Sequence, residues 1–275
     1  MKGGKVSKTV VILTILFLFN LIFVAHSFAL EGRGAIVFAH PDDEAIIFSS
    51  VIPQVSLMIL AAQPGSEVYR NIIKKYPEEL GVRGKWYFLQ GVFPHDWAKE
   101  VAHNKELRES FMTDEFLYEL LKSIIMKFDF IITHSPWGEY GHPKHKQLYR
   151  VCEKLAIDLK KDLYVWEGVV DPYTLEVSSA GLNLPSITLT TDYAAFEKMK
   201  QAYLDAEKNY VWEAGDSQWD SRLWTWGKDW TPPDKMTYYQ LVKGGKVLIK
   251  NKDKERITNK VGTTVFGDGS ILLME

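Results

Sequence analysis

The chain has 275 residues, of which 46% are hydrophobic and 25% charged, and 33 basic against 35 acidic side chains leave a formal net charge of −2. That balance excludes a disordered or fibrous chain and gives no strong electrostatic pull towards nucleic acid. One cysteine, Cys152, excludes an internal disulfide framework.

Residues 1–29 are expected to be an address label and not part of the fold. Lys2, Lys5 and Lys8 form a basic start, Thr9 to Ala25 is a nearly unbroken apolar run, and Ser27-Phe28-Ala29 suits a cleavage site. The segment reads as a secretory signal or, uncleaved, as a membrane anchor through residues 9–25. Either places residues 30–275, read as one domain, outside the cytoplasm.

Ala35 to Ala39 is a short apolar run, expected to be a buried strand. Pro41 suits a first helical position, with Asp42, Asp43 and Glu44 in a first turn where the helix dipole favours negative charge. That helix is expected to continue through Phe48. Val55 to Ala61 is a second apolar run. The pattern then predicts a helix over Ser66 to Leu80, a strand at Trp86 to Leu89, and a helix within Lys105 to Phe128 carrying Leu107, Phe111, Leu117, Leu121, Ile124 and Ile125. A strand at Phe130 to Thr133, a helix from Pro143 to Lys160 and a strand at Leu163 to Trp166 follow. Strands alternating with helices predict an α/β fold whose mostly parallel sheet is covered on both faces. Beyond about residue 185 the expectation is a strand at Ser186 to Thr191, a helix capped by Asp192, a Trp-rich loop, and a hairpin elaboration turning at Gly244-Gly245.

Two short motifs stand at the ends of predicted strands. His40-Pro41-Asp42-Asp43-Glu44 follows the first strand, and Gly141-His142-Pro143-Lys144-His145 follows the Phe130 strand. Both open a helix with proline, and side chains three apart share a helical face. In parallel sheets, sites form beyond the carboxyl ends of strands. Two imidazoles and a carboxylate drawn from the two motifs would make a three-ligand site with open positions, the pattern of a catalytic zinc or ferrous ion. Asp42 supplies a further carboxylate able to take a proton, and His142 and Tyr140 can stabilise an oxyanion or protonate a leaving amine. Either motif alone is also an ordinary helix start; it is their pairing that points to chemistry.

The paired motifs, within Phe130-Ile-Ile-Thr-His-Ser-Pro-Trp-Gly-Glu-Tyr-Gly-His-Pro-Lys-His145 for the second, resemble the PIG-L/LmbE family of metal-dependent de-N-acetylases. The resemblance covers residues 35–48 and 128–150 well and the rest in outline. It implies a Rossmann-like fold and zinc-dependent removal of an acetyl group from an N-acetylglucosamine-type sugar or sugar conjugate. It further implies His40, Asp43 and His145 as ligands of Zn2+, with Fe2+ as the other metal to consider. Asp42 is implied as general base, and His142, with Tyr140 as partner, near the oxyanion or leaving group. Asp96 stands where the family often has a sugar-binding aspartate, and Arg70 lies in the stretch where many members carry an Arg/Glu-rich helix that grips the sugar. The chain departs from the family pattern at Ala61-Ala62-Gln63-Pro64-Gly65 and at Lys144, which leaves substrate identity open. His134 is a candidate pocket residue, the other reading being a hydrogen-bonded histidine of the core. Trp219 belongs to a cluster of tryptophans interleaved with aspartates that suits sugar faces and hydroxyls, or else a loop pinned to the sheet by its tryptophans. No G-x-G-x-x-G follows the first strand, which argues against a dinucleotide enzyme. Hydrolysis of another conjugate by the same metal, and a non-catalytic sugar-binding surface protein, are the competing readings.

Overall fold

The computed structural model describes residues 30, 32–39, 43–52, 113–171, 176–201 and 230–261, together with the backbone of two strands at 57–60 and 85–88. The expected N-terminal segment, the helix over Ser66 to Leu80, and His40, Asp42, Arg70, Asp96 and Trp219 lie outside the described residues. Those from Gly32 onwards belong to one compact unit.

In chain order the elements are β1 (Gly34–Phe38), α1 (Asp43–Ile46), β2 (Leu57–Leu60), β3 (Lys85–Phe88), α2 (Asp114–Ile125), β4 (Phe130–Thr133), α3 (Pro143–Asp158), β5 (Asp162–Trp166), β6 (Gly168–Val170), β7 (Val177–Ser179), β8 (Ser186–Thr190), β9 (Lys235–Lys243), β10 (Lys246–Val247) and α4 (Asn251–Val261). A kinked turn, Gly138–Gly141, precedes α3, and residues 193–201 are helical. Among the described residues, eight strands form the main sheet in the order β10-β9-β5-β4-β1-β2-β3, with β8 also paired to β9. The five strands from β3 to β5 across this order run parallel, and β9 joins antiparallel to β5. Every residue of β1 and β4 is buried, as central strands of a doubly covered sheet require.

The helices explain that coverage. Thr113 caps α2 by accepting the Phe116 N–H at 3.2 Å, and Asp114 and Glu115 complement the dipole of its first turn. Leu117, Leu121 and Ile125 recur every four residues and form its buried seam. With Leu148, Val151, Cys152 and Leu155 of α3 they cover the sheet face made by Ala35, Val37, Ile131, Leu163 and Val165. The opposite face meets the segment that follows α1: the Phe38 and Phe48 rings lie 6.4 Å apart, and the Tyr238 hydroxyl donates to the Ile47 carbonyl at 2.8 Å.

Three local outcomes differ from the sequence pattern. The helix opened by the first motif lasts only to Ile46 and continues as turns through Ile52. The C-terminal hairpin turns at Gly244-Gly245 as expected, both glycines at positive φ, yet its long strand β9 is an integral part of the main sheet. Beyond it, α4 has Asn-Lys-Asp-Lys-Glu-Arg-Ile-Thr-Asn-Lys-Val as its sequence and buries only Ile257, too little apolar periodicity to show in the pattern. Asp192 does cap its helix, accepting the Ala195 N–H at 3.0 Å.

Candidate metal centre

β1 and β4 are parallel neighbours in register, Val37 opposite Thr133, and the Thr133 hydroxyl donates to the Val37 carbonyl at 2.8 Å. Their carboxyl ends therefore emerge side by side. Asp43 begins α1 just beyond β1, His134 follows β4 directly, and His145 lies in the first turn of α3. The three come together although the two segments are far apart in sequence: one ligand atom from each lies within 4.8 Å of the others, and all three side chains are buried.

Three hydrogen bonds define the protonation pattern of the two imidazoles. Glu139, 0% exposed, places its carboxylate between them. Its Oε2 is 2.7 Å from His145 Nδ1 and 3.2 Å from His134 Nδ1, and its Oε1 accepts the Ser135 N–H at 2.7 Å. Burial opposes the charge of Glu139, but His134 and His145 outweigh it and hold the carboxyl down at about 2. An ionised carboxylate only accepts, so both Nδ1 atoms carry protons. The Ala39 N–H donates to His134 Nε2 at 2.9 Å, which requires that nitrogen to be bare. Burial lowers the His134 pKa, while the carboxylates of Glu139 and Asp43 raise it to about 9. A nitrogen cannot both bear a proton and accept the Ala39 amide. That amide is fixed by the end of β1, so the neutral Nδ1–H ring is the form compatible with the backbone.

Asp43 faces the other side of both rings. Its Oδ1 lies 3.3 Å from His145 Nε2 and its Oδ2 3.3 Å from His134 Nε2. Burial works against its charge, and the two histidines nevertheless hold its carboxyl well below the ordinary carboxylate range. With Nδ1 of His145 turned to Glu139, its Nε2 points at Asp43 Oδ1, so a shared proton or a cation can join the two. Carboxylate oxygen and imidazole nitrogen suit zinc, and the observed 3.3 Å is about the edge of a tetrahedron with bonds of ~2.0–2.2 Å. The donor chemistry thus fits a divalent metal at Asp43 and His145. His134 offers a poorer ligand atom, because its Nε2 lone pair already accepts an amide.

The second motif is assembled as a helix entry. His142 caps α3 in extended conformation with Pro143 after it, and its Nδ1 accepts the Lys144 N–H at 3.1 Å. The neutral ring consequently carries its proton on Nε2. The rings of His134, His145 and His142 form a column, with centroids 3.7 Å and 4.5 Å apart. Tyr140 stands edge-on to His142 at 5.8 Å and to His145 at 5.4 Å. The structure therefore brings together Asp43, His134, Tyr140, His142 and His145 of the residues singled out by sequence, and adds Glu139, which sequence reasoning passed over.

No protein-family model matches the chain, and no curated protein does. Among solved structures it is similar to the antimicrobial reagent A40926 pseudoaglycone deacetylase, at 13% identity over 79% of this chain and 99% of that one, with a TM-score of 0.46. It is also similar to a deacetylase of the teicoplanin biosynthesis pathway, at 17% identity over 74% and 96% of the two chains, with a TM-score of 0.43. A third similar structure is N,N'-diacetylchitobiose deacetylase from Pyrococcus horikoshii, at 14% identity over 77% and 85%, with a TM-score of 0.43.

Proposed function

We propose that the protein is a zinc-dependent hydrolase that removes the acetyl group from an N-acetylglucosamine-type sugar or sugar conjugate. The observation that carries the metal reading is the buried convergence of Asp43 and His145, with Oδ1 and Nε2 3.3 Å apart and His134 beside them, at the carboxyl end of the parallel sheet. The paired motifs carry the choice of substrate. In this reading Asp43 and His145 hold the metal together with His40, the residue that follows Ala39, because His134 Nε2 is engaged by the Ala39 amide.

A zinc ion held there supplies Lewis-acid activation of water and of the amide carbonyl. Asp42, adjacent to Asp43, takes the proton released as water adds to the acetyl carbon. His142 donates a hydrogen bond from Nε2 to the developing oxyanion and keeps that proton while it assists departure of the amine, with Tyr140 against its ring. As the C–N bond breaks, the proton taken by Asp42 passes to the amine nitrogen, so that water and amide give a free amine and acetic acid and Asp42 is restored. Asp96, Arg70 and Trp219 are proposed to contact the sugar.

Acetate release from simple and conjugated N-acetylglucosamine, with and without a chelator, tests this reading. Activity that the chelator abolishes and zinc restores is expected; activity indifferent to the chelator overturns it. Asp42→Ala should retain zinc and lose at least about 10²-fold in turnover. His145→Ala should lose the metal itself, as read by metal analysis of the purified protein.

We also propose that residues 1–29 direct the chain out of the cytoplasm. Support comes from Lys2, Lys5 and Lys8 ahead of the apolar run at residues 9–25. Among the described residues no helix is long and apolar enough to cross a membrane. N-terminal sequencing of protein recovered from cell fractions separates a cleaved signal from an anchor, and recovery of intact chain from the cytoplasm alone overturns the proposal.

A further inference from the structure

Glu139 lies between the residues that the proposed chemistry uses and has no part in that chemistry. It is wholly buried, and its backbone stands at φ 51 and ψ −68, a conformation outside the regions favoured by residues with a side chain. Such strain costs on the order of 1–3 kcal/mol and persists only where surrounding contacts impose it. Those contacts are visible. Glycines at positive φ, Gly138 and Gly141, bracket it, and the Glu139 N–H donates to the Ser135 hydroxyl at 3.0 Å. One carboxylate oxygen is held by the Ser135 amide, and the other serves both imidazoles.

We infer that Glu139 is the positioning residue of the metal centre, tying both strand ends to one buried carboxylate. Towards α3 it fixes the ring of His145 with Nδ1 protonated and Nε2 directed at Asp43. Towards β1 it fixes His134, whose opposite nitrogen accepts the Ala39 N–H and so holds the backbone immediately before His40. His134 thereby acts as a strut in place of lining a pocket. Carboxylates behind metal-binding histidines set the tautomer and raise ligand basicity, and their loss costs about 10–100-fold in metal affinity. The inference rests on the metal reading above, and it is tested without turnover.

Nitrogen-15 spectra of histidine-labelled, metal-free protein report the tautomer of each ring. Protons on Nδ1 of both His134 and His145 are expected in the native chain; a proton on Nε2 of a neutral His145 overturns the inference without any variant. Zinc affinity, measured by competition with a chromophoric chelator, is expected to fall about 10–100-fold in Glu139→Gln. Glu139→Asp, which keeps the charge, should recover part of that loss. A Glu139→Gln protein with native zinc affinity and an unchanged His145 tautomer rejects the positioning role. If the native protein binds no zinc, the metal reading fails, while the tautomer spectra still decide what Glu139 does.

Discussion

His142 does two things with one ring. Its Nδ1 caps α3 at the Lys144 N–H, which leaves the proton on Nε2. The same bond that starts the helix prepares the residue to donate. His142→Ala is therefore expected to lose a helix cap, about 0.5–2 kcal/mol, and an oxyanion donor, about 10²–10³-fold in kcat. Zinc stoichiometry should be unchanged, and kinetics set beside metal analysis separates this variant from His145→Ala. At this scale the sequence shows the groups that announce themselves. His142 and His145 stand three apart after a strand, and Asp43 follows a histidine and a proline. Glu139 was silent because a lone acidic residue between glycines looks like any solvated turn. Only its burial, and the proximity of both imidazoles, separates it from a surface glutamate. For His134 the sequence left open a place in the pocket or a hydrogen-bonded place in the core, and only the structure shows both its nitrogens engaged inside the protein.

At the level of elements, periodicity was legible wherever one face of a helix is buried. Leu117, Leu121 and Ile125 keep helical spacing and become the α2 seam. Leu121→Ala is expected to cost about 2–5 kcal/mol by opening a cavity between α2 and the sheet, measured by denaturant unfolding. Cys152 sits on the corresponding face of α3. Burial disfavours its thiolate and pushes the pKa up to about 12, so at pH 8 the fraction ionised falls far below that of an ordinary thiol. A thiol reagent at that pH is expected to react only on unfolding, and rapid labelling of the native protein would contradict the packing. The β6–β7 ribbon escaped notice because its strands have three residues each, too short for an alternation to register. Tyr238 shows a tie between elements that no pattern could disclose. Its buried hydroxyl joins β9 to the Ile47 carbonyl and to Ser50 Oγ, 2.8 and 2.9 Å away, in the segment that follows Asp43. Tyr238→Phe takes this donor from a buried carbonyl, with an expected loss of about 1–3 kcal/mol in thermal or denaturant unfolding.

Across the whole molecule, the alternation of strands and helices was enough to predict parallel pairing, and with it the edge of the sheet where the chemistry gathers. It did not reveal that β9, from the far end of the chain, pairs with β5 and with β8. Antiparallel partners are chosen by long-range register, to which local pattern is blind. Placing β1 and β4 side by side also constrains when the centre can exist. Asp43 and His145 belong to separate stretches of polypeptide that meet only after these two strands have paired. A nascent chain still threaded through the ribosome short of His145 has no cation-binding bite. On the proposed metal reading, the ion binds only after the middle of the sheet has closed, so zinc uptake during refolding is expected to mark that step as a timestamp.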